Sequence, residues 1–168
     1  GQTTIDFISG KNVFYTGNTK GTTEQFTRRP SRIIHRTKPV TQLPGLHQQQ
    51  NLFAFYQKRI LLLSPGYQYR PASVKVPVDL LIISGNPRLY LKQLFTAMDI
   101  HQVVCDGTAP AWKKKYWQND CDSLKIPFHD VAVKGAFVIN LNSVSFAALS
   151  VAQGPDWPFW LLPAYNPS

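Results

Sequence analysis

Acidic residues are scarce in this sequence, cysteines are nearly absent and no long hydrophobic run occurs. Each shortage removes a class of protein. Nine Asp and Glu stand against eighteen Lys and Arg in 168 residues, a net charge of +9. Such a field attracts polyanions, either nucleic acid or acidic lipid headgroups, and carries no information about fold. A basic surface kept for solubility, or one facing an acidic partner, would look the same. Cys105 and Cys121 are the only cysteines, and neither belongs to a CxxC pair or a metal-ligand cluster. Both read as small buried hydrophobes, with a disulfide between them left open. No 18-residue apolar stretch exists, so no helix here is expected to span a bilayer, and no signal-peptide pattern opens the chain. Gly1 in place of Met points to a processed product or a piece of a longer protein.

The charge is uneven. Residues 1–70 hold ten Lys and Arg against Asp6 and Glu24, whereas residues 71–168 hold eight against seven acids. The excess therefore sits in the first part of the chain. There, "TIDFISGKNVFY" gives two short strands around Gly10-Lys11-Asn12, a hairpin signal. Residues 24–50 are rich in Arg, Pro and Gln and should be mostly extended or looped, with one edge strand near Ser31–Arg36. "NLFAFYQKRILLLS" returns to strand character.

The second half alternates more clearly. Val78–Ser84 is a continuous apolar run, as expected of a strand covered on both faces. Asn86 suits an N-cap and Pro87 a first helical residue, and Tyr90, Leu91, Leu94, Phe95 and Met98 then mark one helical face. "HQVVCDG" supplies another strand. A helix from about Ala111 to Leu124 is expected to bury Trp112, Tyr116, Trp117, Cys121 and Leu124. "IPFHDVAVKGAFVINL" reads as two strands turning at Lys134-Gly135. The order predicts an α/β (α+β) fold, a mixed sheet with flanking helices, with the crossover from Val78 to Cys105 parallel and right-handed. Residues 142–168, with four prolines and two Trp, stand apart as an atypical tail.

Catalytic patterns are missing. His35, His47, His101 and His129 form no HxH, HxxxH or HxxxD group, and His129 and Asp130 on one strand would face opposite ways. Ser84-Gly85 lacks the glycine two residues earlier that a nucleophile elbow needs, and no Gly-Lys-Ser/Thr ending supports a P-loop. No catalytic residue, metal ligand or small-molecule cofactor is assigned. A low-specificity anion corner at Gly85 and Arg88, on the helix start after Asn86-Pro87, competes with a plain capped turn. The basic residues argue better. Arg28, Arg29, Arg32, Arg36 and Lys38 lie in a proline-broken, acid-free segment, and arginine forks suit phosphate oxygens. Lys113, Lys114 and Lys115 crowd a helix start, where the helix dipole disfavours cations. A solvated basic face is the alternative.

Taken in order, "IDFISGKN", "PSRIIHR", "FYQKRILLL", "VDLLIISGNPR" and "DGTAPAWKKKYWQNDCDSLKIPFHDVAVKGAFVINL" resemble the C-terminal region of the ComEC family, the inner-membrane channel for DNA uptake in natural competence. The resemblance covers about Gly1–Leu141 and implies a metallo-β-lactamase-like domain. "FYTGN" is similar to a strand ending in Thr-Gly-Asp, but Asn18 replaces the metal-bridging Asp. "LLIISGNPR" is similar to a strand leading to His-His-Gly-Ser, but Ser84, Gly85 and Asn86 offer no imidazole. "VKGAFVIN" resembles the final strand. The stretch that would carry the main HxHxDH motif is not in this sequence.

The resemblance therefore implies a degenerate half-domain over residues 1–141, linked to the membrane channel part of the same polypeptide. Its expected place is the outer, periplasmic face of the inner membrane, and its expected partner is incoming DNA. It leans away from enzyme activity. Two alternatives stay open: a metal-dependent nuclease whose ligands lie in the missing N-terminal part, and a purely structural channel brace. Marginal stability of the isolated chain is also expected, because half-domains leave a sheet face to be covered.

Overall fold

The computed structural model describes residues 4–17, 37–67 and 74–141. The chain divides into two compact units, Gly1–Leu46 and His47–Ser168.

In the first unit, β1 (Thr4–Ser9) and β2 (Asn12–Gly17) form the expected antiparallel hairpin, with Ser9 opposite Asn12 across a two-residue turn. Gly10 takes φ 58° there, the left-handed region open to glycine. Buried Phe7 faces Phe14 across the strands, with ring centroids 6.3 Å apart. A third short strand, β3 (Lys38–Pro39), joins β2 in parallel, and Lys38 N–H donates to Lys11 O at 2.6 Å. The edge strand expected near Ser31–Arg36 lies outside the described residues.

The second unit is built on a six-stranded sheet that also takes in Leu46. It contains β4 (Leu46–Gln49), β5 (Leu52–Phe55), β6 (Lys58–Leu63), β8 (Leu80–Ile83), β10 (Val103–Cys105) and β11 (Phe128–Asp130). Its order is β11-β10-β8-β6-β5-β4. The strands β6, β8, β10 and β11 run parallel to one another, and β5 pairs antiparallel with β6. The fold is thus mixed α/β, in line with the α+β expectation, and the link from β8 to β10 is parallel as predicted. The β5–β6 hairpin turns on Tyr56 and Gln57 at φ 45° and 67°, the doubly left-handed turn that matches strand twist.

The apolar run Val78–Ser84 is two strands. Asp79 interrupts it, separating β8 from β7 (Val76–Val78), which pairs in parallel with β9 (Met98–Ile100) in a separate two-stranded sheet. The reason is a polar clasp. Asp79 accepts from Lys58 Nζ and from Arg59 N–H, both at 2.9 Å, and its own N–H donates to Arg59 O. These bonds hold the residue against β6 and out of regular pairing.

Three helices follow. The first, α1 (Leu91–Ala97), buries Leu91, Leu94, Phe95 and Ala97. It starts later than predicted: Tyr90 occupies the N-cap without a side-chain bond, and residues 86–90 are irregular. The second, α2 (Ala111–Ser123), buries Lys114, Trp117 and Cys121, whereas Trp112, Tyr116 and Leu124 are exposed. That corrects the predicted arc. At about 100° per residue, Trp112 falls about 180° from Cys121, so the five residues never shared one face. The third, α3 (Val131–Lys134), replaces the strand predicted after Asp130. Asp130 caps it by accepting from Ala132 N–H at 2.9 Å, and Gly135 ends it at φ 81°. Residues 135–141 carry no regular element.

One apolar core joins the sheet and helices of the second unit. Leu61 and Leu63 of β6, Leu81 and Ile83 of β8, and Val103 and Cys105 of β10 pack with Leu91 and Leu94 of α1 and Trp117 and Cys121 of α2. Both cysteines are free and buried, as expected of small hydrophobes.

Candidate functional site

Four parallel strands end along one edge of the large sheet, and in open α/β sheets ligands gather beyond such carboxyl ends. Here the edge is formed by Ser84-Gly85-Asn86 after β8, Asp106-Gly107-Thr108 after β10, and Asp130 closing β11. The strand register aligns them: Ser84 N–H donates to Leu63 O at 2.8 Å and Asp106 N–H to Ile83 O at 3.0 Å.

The polar groups of this edge bind one another. Asp106, 5% exposed, accepts through Oδ1 from the Thr108 N–H at 2.8 Å and from the Thr108 hydroxyl. The Thr108 oxygen in turn accepts from Gly85 N–H at 2.7 Å. Two loops are thereby tied together. The ammonium of Lys114 lies 3.0 Å from Asp130 Oδ1 and 2.9 Å from Oδ2, with side-chain exposures of 11% and 16%. Lys113 donates to Asn86 Oδ1 and to Pro87 O, both at 2.6 Å, and lies 5.5 Å from the centre of the Trp117 ring. Burial, and then the nearby Arg88 guanidinium, push the Lys113 ammonium below the usual lysine range. Burial first, then the charges of Asp106 and Asp130, push the Cys105 thiol up to about 12 against the opposing pull of Lys114. At that value the sulfur stays protonated and is no nucleophile at neutral pH.

These contacts revise the sequence-derived anion corner. Gly85 N–H is taken by Thr108, and Asn86 is no helix cap, since its amide oxygen accepts from Lys113. α1 has seven residues and begins at Leu91, so no helix start stands behind Asn86-Pro87. Arg88 is exposed. The metal site implied by the family resemblance fits this turn poorly. Ser84, Gly85 and Asn86 contribute a hydroxyl, a backbone N–H and an amide, and the amide oxygen already holds an ammonium. Among the described residues, no group of three His, Cys, Asp or Glu side chains could hold a metal ion together. His129, on β11, pairs its Nε2 with Gly135 O at 2.9 Å and sets its ring edge against Phe137. Asn18 lies outside the described residues.

The basic candidates part into three groups. Arg28, Arg29, Arg32 and Arg36 lie outside the described residues. Lys38 is exposed on β3 of the first unit, and Lys115 is exposed on α2 of the second. Lys113 and Lys114 turn inward to brace the strand ends, and burial of Lys114 takes it off the solvent face. This accounts for two of the three lysines at the helix start: the amide and carbonyl oxygens under Lys113 and the carboxylate under Lys114 offset the dipole, while Lys115 faces solvent. Sequence reasoning missed Trp112 and Tyr116 as surface residues, although counting turns from Cys121 would have found them.

A family model for the ComEC C-terminal domain matches residues 1–141. No curated protein and no solved structure matches the chain significantly. With the match running from the first hairpin through α3 and the segment after it, the chain belongs to the ComEC C-terminal domain family.

Proposed function

We propose that this chain is a non-catalytic part of a ComEC-type DNA-uptake channel and binds incoming DNA electrostatically. The family belongs to the machinery of competence DNA uptake. The observation that carries the non-catalytic reading is the closure of the strand-end edge. Its oxygens are met by Lys113, Lys114, Thr108 and backbone N–H groups, a braced scaffold with no metal-ligand set among the described residues. The DNA reading rests on the net charge of +9 and on exposed Lys38, Arg88 and Lys115, with Arg28, Arg29, Arg32 and Arg36 as further phosphate contacts. In this reading the region works on the outer face of the inner membrane, joined to the channel part of the same polypeptide. No helix among the described residues is long and apolar enough to cross a membrane.

Affinity for DNA measured against salt tests the proposal. Log affinity should fall linearly with log salt, by about 0.9 per phosphate neutralised. Replacing Arg28, Arg29, Arg32, Arg36 and Lys38 together by Gln should flatten that slope. No affinity even at low ionic strength would refute DNA binding. Chelator-sensitive cleavage of DNA by the same chain would refute the non-catalytic half.

A further inference from the structure

The outward face of α2 is covered by no other element among the described residues of the second unit, and its composition is unusual. Trp112, Lys115, Tyr116 and Asn119 recur at i, i+3, i+4 and i+7, within an arc of about 100° on the helix surface. Trp112 and Tyr116 are 61% and 64% exposed, which for two large aromatics one turn apart calls for a reason. Their rings meet edge to face, with centroids 6.1 Å apart and planes at 82°. Such a contact covers at most one of four ring faces and fixes both rings relative to each other. The opposite side of the helix holds Lys114, Trp117 and Cys121 in the core, so the platform sits on a rigid base.

The charges nearby are positive. Lys115 is exposed on the stripe itself, and Lys113 and Arg88 add cations near the start of the same helix. Of the acids on α2, Asp120 is 3.6 Å from Lys92 and Asp122 lies about three turns beyond Trp112. No aliphatic residue accompanies the two rings, as a lipid-inserting face would require. Aromatic faces beside exposed cations fit a polyanion that carries π-surfaces of its own. Unpaired bases offer such surfaces, whereas a duplex keeps them stacked.

We propose that Trp112 and Tyr116 form a stacking platform for the unpaired bases of single-stranded DNA, with Lys115 contacting the phosphates. This rests on the DNA-binding reading above and adds a strand form and two residues to it. Stacking on an aromatic side chain contributes enough that its loss weakens single-strand binding about tenfold per base, and it tolerates any base sequence.

The test compares the full 168-residue chain with Trp112→Leu/Tyr116→Leu and Lys115→Gln, using fluorescence anisotropy with a labelled oligo-dT and a labelled duplex. Leucine keeps apolar area and removes the π-face. The leucine variant should lose about tenfold or more in oligo-dT affinity and leave duplex affinity within twofold. Lys115→Gln should weaken both probes and reduce the salt dependence. Unchanged oligo-dT binding by the leucine variant overturns the platform while leaving DNA binding intact. Failure of the parent chain to bind either probe at low salt overturns both. Sedimentation with anionic phosphatidylserine vesicles is the counter-assay: vesicle binding that needs Trp112 and Tyr116, with oligo-dT binding independent of them, would assign the face to a membrane surface instead.

Discussion

Lys114 on α2 and Asp130 at the end of β11 form a two-oxygen ion pair, with the ammonium 2.9 Å and 3.0 Å from the carboxylate oxygens and both side chains largely buried. The same carboxylate caps α3 through Ala132 N–H. A buried ion pair contributes little beyond a well-packed apolar pair, but removing one partner strands the other in a poor dielectric. Lys114→Met should therefore cost about 3 kcal/mol. Asp130→Ala should cost more than Lys114→Met, because the cap is lost as well. The double variant should be less destabilised than the sum, giving a coupling of about 1–3 kcal/mol in a urea-denaturation cycle. Additive losses would mean that the pair carries no interaction energy.

Asp79 gives the molecule an acid-sensitive clasp. Burial works against its charge, yet the Arg59 N–H and the Lys58 ammonium, helped by His101, outweigh it and hold the carboxyl below its ordinary value. A carboxylate depressed in the folded state stabilises fully above its unfolded pKa, and that contribution fades as pH falls through the folded one. Asp79→Asn should lower stability at pH 7 and flatten the stability profile below about pH 4. Equal losses for parent and variant between pH 5 and pH 2 would show that other carboxylates dominate acid unfolding.

The parts of the fold that were legible in the sequence are those set by local patterning. The Thr4–Gly17 hairpin, the buried strand after Lys58 and the parallel pairing of the segments before Ser84 and Cys105 follow from strand periodicity and turn residues. Two departures share another cause, a long-range polar contact that local propensity does not record. Asp79 splits an apolar run because β6 offers it a donor pair. Asn86 fails to cap because Lys113, 27 residues on, takes its oxygen. A third departure is local: Asp130 caps a helix through Ala132 N–H where β-rich residues Val131 and Val133 suggested a strand. For the site, the sequence showed that the metal-ligand residue types were missing from the turn after β8. Which lysines face solvent and which brace the strand ends depends on helix rotation, and composition is silent on that.

Among the described residues three turns, at Gln50, at Tyr56-Gln57 and at Lys125, keep residues with side chains where glycine is favoured. Gln57 has φ 67° in the β5–β6 hairpin, and Lys125 has φ 57° after α2. There Ile126 N–H donates to Cys121 O and Lys125 N–H to Asp122 O, the Schellman pattern that usually places glycine at this position. Left-handed backbone costs a non-glycine residue about 1–2 kcal/mol, partly offset by the greater unfolded-state entropy of glycine. Gln57→Gly and Lys125→Gly should each raise the urea midpoint, by about 0.5–1 kcal/mol of stability, with an unchanged m-value. A fall in either midpoint would show that the side chain makes a compensating contact.

The cysteines should be silent in the folded protein. Burial comes first for both thiols; Asp106 and Asp130 reinforce it at Cys105, and Asp120 and Asp122 at Cys121, pushing each to about 12. At pH 8 the thiolate fraction would be about one in 10⁴, and access is closed as well. A colorimetric thiol titration should count none in the native chain and two after denaturation. Rapid native labelling would mean that the core around β10 and α2 opens.

Gly85 separates the scaffold reading of the strand-end edge from the anion-corner reading. Its φ is +73°, and a Cβ built there would lie 2.9 Å from Pro65 Cγ and 3.0 Å from Cδ. Both the backbone strain and the clash act on the fold, while Gly85 N–H is already bonded to Thr108. Gly85→Ala should therefore destabilise by about 2 kcal/mol or more, the left-handed strain alone supplying about half or more of that. Gly85→Ala with Pro65→Ala should recover the clash component but not the strain. Under conditions where the variant stays folded, its DNA affinity should match that of the parent chain. Arg88→Gln should remove no more than the single phosphate contact expected of one exposed cation, about 0.9 in the salt slope. If Gly85→Ala instead abolished DNA binding without loss of stability, the corner itself would be the ligand site.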